Sequence, residues 1–228
     1  MINCQITRLA GAAAVAAWVL LSGPLGLPSA TAEPCPDVEV VFARGTNEAP
    51  GLGPTGEAFV TSLRSQANGR NVAVYPVNYP ASLDFNAGVD GVLDASNHIR
   101  STVTTCPQTR LVLGGHSQGA AVMGFVTADK VPDGLPDEIL ELGVPNPMSP
   151  QVADHVAAVA LFGTPSNRFM ESIGMPAVQI GPLYAPKVIQ MCAPGDVVCS
   201  DEGDYGAHGS YPMNGLPNDA AAFAVSRL

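Results

Sequence analysis

The stretch that decides the fold is residues 111–122, which read Leu111-Val-Leu-Gly-Gly-His-Ser-Gln-Gly-Ala-Ala-Val122. An apolar run ends at Gly114 or Gly115, and an Ala-rich segment free of proline begins at Gln118. The pentapeptide Gly-x-Ser-x-Gly occurs by chance too often to be informative alone, but between a strand and a helix it is typical of a nucleophile elbow. The sequence therefore predicts a tight strand-to-helix turn that exposes the hydroxyl of Ser117.

Outside this turn, short apolar runs rich in β-branched residues alternate with segments of helical spacing. Such runs are expected of strands buried on both faces, and their alternation with helices predicts a parallel α/β sheet covered on both sides. The predicted strands are residues 38–43, 71–75, 110–114, 156–162 and 188–191, and the predicted helices are 56–67, 85–103 and 118–130. The Pro- and Gly-rich stretches 132–150 and 174–186 are interpreted as surface loops.

Residues 1–32 have the pattern of a secretory signal peptide. Arg8 precedes an apolar centre, and the uncharged stretch ends in an A-x-A cleavage site closed by Ala32. A membrane anchor is the alternative, but glycines and prolines interrupt the run from Gly23 onward, short of the roughly 20 apolar residues that span a bilayer. We therefore expect cleavage after Ala32, one mature domain over residues 33–228, and a protein that is extracellular or associated with the cell envelope.

The charge of the mature chain limits its partners. Removal of Arg8 with the signal peptide changes the formal net charge from −10 to −11. A surface this negative repels phosphate backbones and anionic headgroups, so we expect no binding of nucleic acid. We expect a monomer whose contact with lipid surfaces is at most transient and apolar, and no cofactor.

Four cysteines remain once Cys4 is removed with the signal peptide: Cys35, Cys106, Cys192 and Cys199. An even number of cysteines in an exported chain favours disulfides, and three pairings are possible. Cys192 and Cys199 enclose a short segment that can close on itself, which leaves Cys35 to pair with Cys106. A metal site is the competing interpretation, but no Cys-x-x-Cys or Cys-x-x-His spacing supports it, so we expect no metal ion.

A serine hydroxyl needs a base to remove its proton, and in this kind of fold an acid and then a histidine follow the serine in sequence. Only His155 and His208 follow Ser117. His155 directly precedes a predicted strand, which places it at the wrong edge of the sheet, whereas His208 lies in a polar, Gly-rich loop after the last strand. His208 is the predicted general base. His98 and His116 are interpreted as structural, with His116 facing away from the serine.

The acid that orients the imidazole is expected after the last predicted strand, where Asp196 lies within Cys192-Ala-Pro-Gly-Asp-Val-Val-Cys199. A disulfide across this segment would hold the carboxylate rigidly, which suits a group that fixes the tautomer of His208. A turn aspartate after Pro-Gly is the ordinary alternative. The rival acids, which lie too near His208 in sequence to approach it across a loop, are Asp201, Glu202 and Asp204.

Four ordered motifs together resemble the cutinase family, and most of all the exported cutinase-like proteins of actinobacteria. They are Cys35-Pro-Asp-Val-Glu-Val-Val-Phe-Ala-Arg-Gly-Thr46, the Gly-His-Ser-Gln-Gly elbow, the segment between Cys192 and Cys199, and the loop 205–208. The resemblance covers essentially the whole mature chain. It implies an α/β-hydrolase three-layer sandwich with a mostly parallel five-stranded sheet and no large lid, and it supports Cys35–Cys106 and Cys192–Cys199 as the bridges.

The same resemblance implies an oxyanion hole. Thr46 follows Ala-Arg-Gly, where cutinases commonly carry a serine that donates through its backbone N–H and hydroxyl; threonine keeps the hydroxyl and adds a methyl group. Gln118 follows the nucleophile and supplies the second N–H. Because Gln118 also begins a predicted helix, the positive end of the helix dipole favours a developing oxyanion there.

These features predict a secreted serine esterase that hydrolyses carboxylic esters, either with short- to medium-chain acyl groups or in lipids, through an acyl-enzyme on Ser117. Apolar residues in 79–85 and 182–185 are candidates for an acyl groove. Two alternatives stay open. One is an acetyl esterase acting on carbohydrate esters, since esterases of acetylated xylan resemble the same family, and the other is a non-catalytic secreted binding module on a hydrolase fold.

Overall fold

The computed structural model describes residues 34–228, so the signal peptide predicted for residues 1–32 lies outside the described part of the chain. Five strands form one sheet in the order β2-β1-β3-β4-β5, and every neighbouring pair is parallel. The strands are β1 (Val38–Ala43), β2 (Val72–Pro76), β3 (Arg110–His116), β4 (Val156–Phe162) and β5 (Val188–Met191). This confirms the predicted α/β class and the five-stranded sheet.

Eight α-helices occur in the described residues, more than the three that were predicted. They are α1 (Gly53–Gln66), α2 (Gly88–Thr105), α3 (Gln118–Val126), α4 (Asp137–Glu141), α5 (Pro150–His155), α6 (Asn167–Ser172), α7 (Tyr205–His208) and α8 (Leu216–Val225). The helix predicted over 118–130 ends earlier, at Val126, where the hydroxyl of Thr127 donates to the carbonyl of Met123. The predicted loop 132–150 contains α4 and the first residue of α5.

Two hydrophobic cores cover the opposite faces of the sheet, and β1 shows why. Side chains along a strand alternate between faces. Val41 and Ala43 pack in the core that includes residues of α2 and α3, whereas Val38, Val40 and Phe42 pack in the core that includes residues of α1 and α8. The three layers are therefore helices, sheet and helices, as expected.

The strand order creates a crevice at the carboxyl edge of the sheet. The chain moves from β1 outward to β2 and then returns to β3 on the other side of β1, so connections leave β1 and β3 in opposite directions. In open parallel sheets, ligands bind at such a switch point. Thr46 follows β1 and Ser117 follows β3, which places both residues at this crevice.

Two disulfides join the cysteines of the described chain. Cys35, just before β1, is bonded to Cys106, the residue that follows the last residue of α2. Cys192 is bonded to Cys199 across the loop that follows β5. Within residues 34–228, no helix is both long enough and apolar enough to span a bilayer.

Candidate active site

The turn between β3 and α3 has the geometry of a strained elbow. Ser117 has φ 56° and ψ −120°, a conformation that non-glycine residues rarely adopt. A Cβ at Gly115 would collide with the carbonyl of Gly119, and a Cβ at Gly119 would collide with the carbonyl of Ala43, so both positions require glycine. The Ser117 N–H donates to the carbonyl of Phe162 on β4 at 2.9 Å, which anchors the turn to the sheet.

Three side chains that are far apart in sequence meet at this elbow. Nε2 of His208 lies 2.8 Å from Oγ of Ser117, and Nδ1 of His208 lies 2.9 Å from both carboxylate oxygens of Asp196. Since a carboxylate only accepts, Nδ1 carries the proton and Nε2 is free to accept the serine hydroxyl. His155 ends α5 just before β4, at the opposite edge of the sheet, as the sequence indicated.

Asp196 is fully buried, and its carboxylate is surrounded by donors. Besides His208, it accepts hydrogen bonds from the hydroxyl of Tyr211 at 2.6 Å and from the N–H of Val198 at 2.9 Å. The Cys192–Cys199 disulfide closes the loop around it. Because both sulfurs are bonded to each other, they offer no thiolate to a metal ion, even though they lie close to Asp196.

The surroundings of Asp196 and His208 lower the pKa values of both groups, which suits a general base and its orienting carboxylate. Burial raises the pKa of Asp196, but hydrogen bonds from Tyr211, His208 and Val198 outweigh it and hold the pKa below 3.8. Burial lowers the pKa of His208 below 6.5, although the Asp196 carboxylate opposes that change. At neutral pH the pair is therefore a carboxylate beside a neutral imidazole.

The residues expected to form an oxyanion hole lie together at the crevice. Oγ of Thr46 is 3.4 Å from the side-chain oxygen of Gln118, whose amide nitrogen donates to the carbonyl of Ser82 at 3.2 Å. The backbone N–H groups of Thr46 and Gln118 donate to no acceptor in the described chain. These two amides are therefore available to an oxygen of a ligand at the helix N-terminus.

The rival acids have other roles or none at the site. The side chain of Asp204 accepts from the N–H of Ala207 and caps α7, the single helical turn in which His208 lies. Asp201 and Glu202 are exposed. His98 is remote from the elbow: it stacks on a tyrosine of β2 and lies 3.1 Å from a carboxylate oxygen of Glu39.

Three residues of the site were not identified from the sequence. Tyr211 contacts Asp196, as described above. His116 was expected to face away from Ser117 as a structural residue, but its ring stacks on that of His208 with centroids 5.1 Å apart and also lines the cavity. Glu48 lies 3.4 Å from Nδ1 of His116. The only sequence signal was proximity to the motifs, because these contacts join residues from different elements.

A cavity of about 590 Å³ opens beside Ser117, and its size falls within the range of ordinary ligand sites. Residues of α2, α3 and α6 and of the segment 130–147 line it. Of the two stretches expected to form an acyl groove, 79–85 contributes Leu83 and Phe85, whereas 182–185 does not line the cavity. Other apolar side chains that line the cavity include Val89, Val92, Val122, Val126, Phe169 and Met170.

Comparisons with known proteins agree with this architecture. The cutinase family model matches residues 34–228. The chain is 55% identical over 172 residues to probable carboxylesterase Culp5 of Mycobacterium tuberculosis, covering 75% of this chain and 96% of that protein. It is 47% identical over 227 residues to carboxylesterase Culp1 of the same organism, covering 98% and 96%. Trichoderma reesei cutinase, solved in complex with a C11Y4 phosphonate inhibitor, is 32% identical with a TM-score of 0.61, covering 85% of this chain and 77% of that chain.

Proposed function

This chain belongs to the cutinase family and is a carboxylic ester hydrolase, and we propose that it acts through Ser117 as nucleophile, His208 as general base and Asp196 as the orienting acid. The observation that carries the proposal is the unbroken series of hydrogen bonds from Asp196 through His208 to Ser117, with heavy atoms 2.9 and 2.8 Å apart. A base within this distance of a hydroxyl can take its proton as the oxygen attacks.

The mechanism follows from this arrangement. The ester binds with its carbonyl oxygen toward the backbone amides of Thr46 and Gln118. Ser117 Oγ attacks the acyl carbon while its proton moves to Nε2 of His208, and the carbonyl electron pair moves to the oxygen. The tetrahedral intermediate collapses, and the leaving alkoxide takes the proton from Nε2. Water then attacks the acyl-enzyme by the same steps and releases the carboxylic acid.

The oxyanion contacts stabilise the charge that develops on the carbonyl oxygen. Gln118 begins α3, so its N–H and the positive end of the helix dipole both face that oxygen. The hydroxyl of Thr46 approaches the side chain of Gln118, which favours one orientation of the turn after β1. Loss of one such donor commonly costs a hundredfold or more in turnover.

The cavity favours esters with an acyl chain over acetyl esters. On α3, residues 118, 121, 122, 125 and 126 line the cavity, which places one helix face along it for about 12 Å at 1.5 Å per residue. Carbon–carbon bonds of about 1.5 Å at near-tetrahedral angles advance about 1.25 Å each, so a chain of about ten carbons matches the length of that helix face. An acetyl group would leave most of this apolar volume unfilled.

Fluorophosphonate labelling followed by mass spectrometry tests the nucleophile. We expect one label on the peptide that contains Ser117, lost in Ser117→Ala and in His208→Ala, and retained in the matched control His155→Ala. A labelled Ser117→Ala variant would disprove the assigned nucleophile. An unlabelled wild-type protein would contradict the proposed serine mechanism.

A series of p-nitrophenyl esters, together with acetylated xylan, tests the substrate class. Each buried CH₂ contributes about 0.8 kcal/mol, so we expect kcat/KM to rise on the order of fourfold per added CH₂ until the cavity is filled. Highest activity on acetate, with release of acetate from xylan, would instead favour the carbohydrate acetyl esterase.

We also propose that the protein is exported and acts as a monomer. Two disulfides are typical of proteins from oxidising compartments, which supports export. Leu83 and Tyr205 line the mouth of the cavity and are each 70% exposed, which supports transient apolar contact with lipid. Light scattering of the purified chain and mass spectrometry of its mature N-terminus test the oligomeric state and the cleavage after Ala32.

A further inference from the structure

Glu48 and His116 lie between the oxyanion turn and the general base. Oε2 of Glu48 accepts a hydrogen bond from the N–H of Gly45 at 2.7 Å, and its backbone carbonyl accepts from Nε of Arg44 at 2.9 Å. These contacts close the short turn that bears Thr46. Glu48 therefore fixes the backbone on one side of the proposed oxyanion hole.

His116 connects the same carboxylate to the segment that bears His208. Nδ1 of His116 lies 3.4 Å from Oε1 of Glu48, and its Nε2 lies 3.3 Å from the backbone carbonyl oxygen of His208. His116 is 7% exposed, and its ring also packs edge-on against Tyr211. One imidazole thus contacts the main chain of the base and the residue that holds the oxyanion turn.

The contacts of His116 with the His208 carbonyl and with Glu48 indicate which ring nitrogen carries a proton. A backbone carbonyl only accepts, so Nε2 of His116 must carry a proton. Nδ1 makes no hydrogen bond within the described residues, and it faces a carboxylate. The ring of His116 therefore lies between the carboxylate of Glu48 and the stacked ring of His208.

We propose that Glu48 and His116 are positioning residues that link the turn bearing Thr46 to the segment bearing His208. Together they hold the oxyanion site and the general base in the positions that reaction at Ser117 requires. The inference rests on the proposed function, because it assigns these residues a role in the same reaction. Glu48 also places a negative charge near His208, which becomes an imidazolium during each proton transfer.

The charged and titratable groups around the pair are few within the described chain. His208 faces Asp196, His116 and Tyr211, and Glu48 acts on it at longer range. Glu48 itself faces His116 and Arg44. Burial raises the pKa of Glu48, but the contacts with His116, the Gly45 N–H and Arg44 keep it below 4.5, so this residue is a carboxylate across the working range.

Two single substitutions separate charge from hydrogen bonding. Glu48→Gln keeps an oxygen for the Gly45 N–H but removes the negative charge, and His116→Gln keeps a donor for the His208 carbonyl but removes the imidazole ring. We expect each to lower kcat for a short soluble ester about tenfold with little change in KM, because a misplaced base slows chemistry rather than binding. We expect the acid limb of kcat/KM to move down by about 0.5 pH unit in Glu48→Gln and up by about 0.5 pH unit in His116→Gln.

The double variant Glu48→Gln with His116→Gln completes the test. We expect its acid limb to return to the wild-type position and its loss in kcat to be smaller than the product of the single losses, since coupled residues do not act additively. Glu57→Gln on the exposed side of α1 and His155→Gln are the matched controls, and neither should change the profile.

Distinct outcomes would overturn this inference and the proposed function. Wild-type kcat and an unmoved acid limb in both single variants would overturn the inference, as would strictly multiplicative losses in the double variant. A fall in unfolding temperature with unchanged kcat would show a purely structural role and would overturn it too. Activity that survives Ser117→Ala would instead overturn the proposed function.

Discussion

The phenolic oxygen of Tyr211 lies 2.6 Å from Oδ2 of Asp196, and both side chains are fully buried. The same oxygen accepts the N–H of Ala193 at 2.9 Å, so one hydroxyl joins the carboxylate to the start of its loop. Burial and the neighbouring carboxylate raise the pKa of Tyr211 above 10, which keeps it a donor at any pH at which the protein works. The acid of the proposed triad is therefore held by a residue outside the triad.

Tyr211→Phe should lower both stability and activity. The substitution leaves the Ala193 N–H without its acceptor and removes one donor from Asp196, which should cost about 1–3 kcal/mol in the free energy of unfolding. Because the folded pKa of Asp196 lies below 3.8, the bond to Tyr211 stabilises the fold above pH 3.8 and its contribution is lost as pH falls below that value. Urea unfolding of wild type and variant at pH 7 and at pH 3 measures this. An equal difference at both pH values would contradict it, and Tyr205→Phe, on the surface, is the control.

The pH profile of hydrolysis should report the neutral form of His208. Burial lowers its pKa below 6.5, and a general base works only when deprotonated. We therefore expect kcat/KM for a non-ionising ester to be constant between pH 7 and 8 and to fall with a slope of one proton at a midpoint below 6.5. A midpoint above 7 would indicate that the carboxylate outweighs burial, contrary to this expectation.

The two disulfides should affect different properties. On the chain-entropy model, closing the loop of Cys192–Cys199 contributes about 2.5 kcal/mol of stability and closing the loop of Cys35–Cys106 about 4.4 kcal/mol. The first loop holds Asp196, whereas the second lies away from the elbow. We expect replacement of both Cys192 and Cys199 by serine to cause the larger loss of activity. Replacement of both Cys35 and Cys106 by serine should cause the larger loss of stability. The reverse ranking would show that the loop does not position the acid.

Ser96→Leu should shorten the acyl preference. Ser96 is 2% exposed and lines the cavity on α2, eight residues and so about 12 Å along the helix from Gly88, which also lines it. A leucine there would fill space that a long chain needs. We expect kcat/KM for p-nitrophenyl decanoate to fall about tenfold while butyrate is unaffected, in line with one or two lost CH₂ contacts. The exposed Ser101→Leu, on the same helix, is the control, and an equal loss on both esters would argue for general misfolding.

Local sequence signals were enough to locate the sheet and the elbow. Strands β1, β4 and β5 have the predicted bounds, because each is a short, nearly continuous apolar run rich in β-branched residues. The glycines around Ser117 identified the turn, since the structure leaves no room for a side chain at Gly115 or Gly119. The family resemblance, carried by motifs at four points of the chain, is confirmed by the match over residues 34–228.

The short helices were missed for a physical reason. α4, α5, α6 and α7 each have six residues or fewer, too short to show the period of an amphipathic helix. α8 is longer, but Pro217 near its start and its run of alanines give little contrast between its faces, and packing against α1 and the sheet is what holds it. Helices of this kind are stabilised by tertiary contacts rather than by their own propensity.

The sequence by itself determined the order of the five strands and of the first three helices, the identity of Ser117 as the residue at the elbow, and His208 and Asp196 as its candidate partners. Only the tertiary structure decided which side chains surround them: Tyr211 bonded to Asp196, His116 stacked on His208, and Glu48 beside His116. The reason is that motif spacing reflects the local backbone, whereas these contacts depend on how the loops after β1, β3 and β5 converge at one edge of the sheet. The packing of helices on both faces of the sheet sets how these loops converge, and it produces no periodic pattern in the sequence.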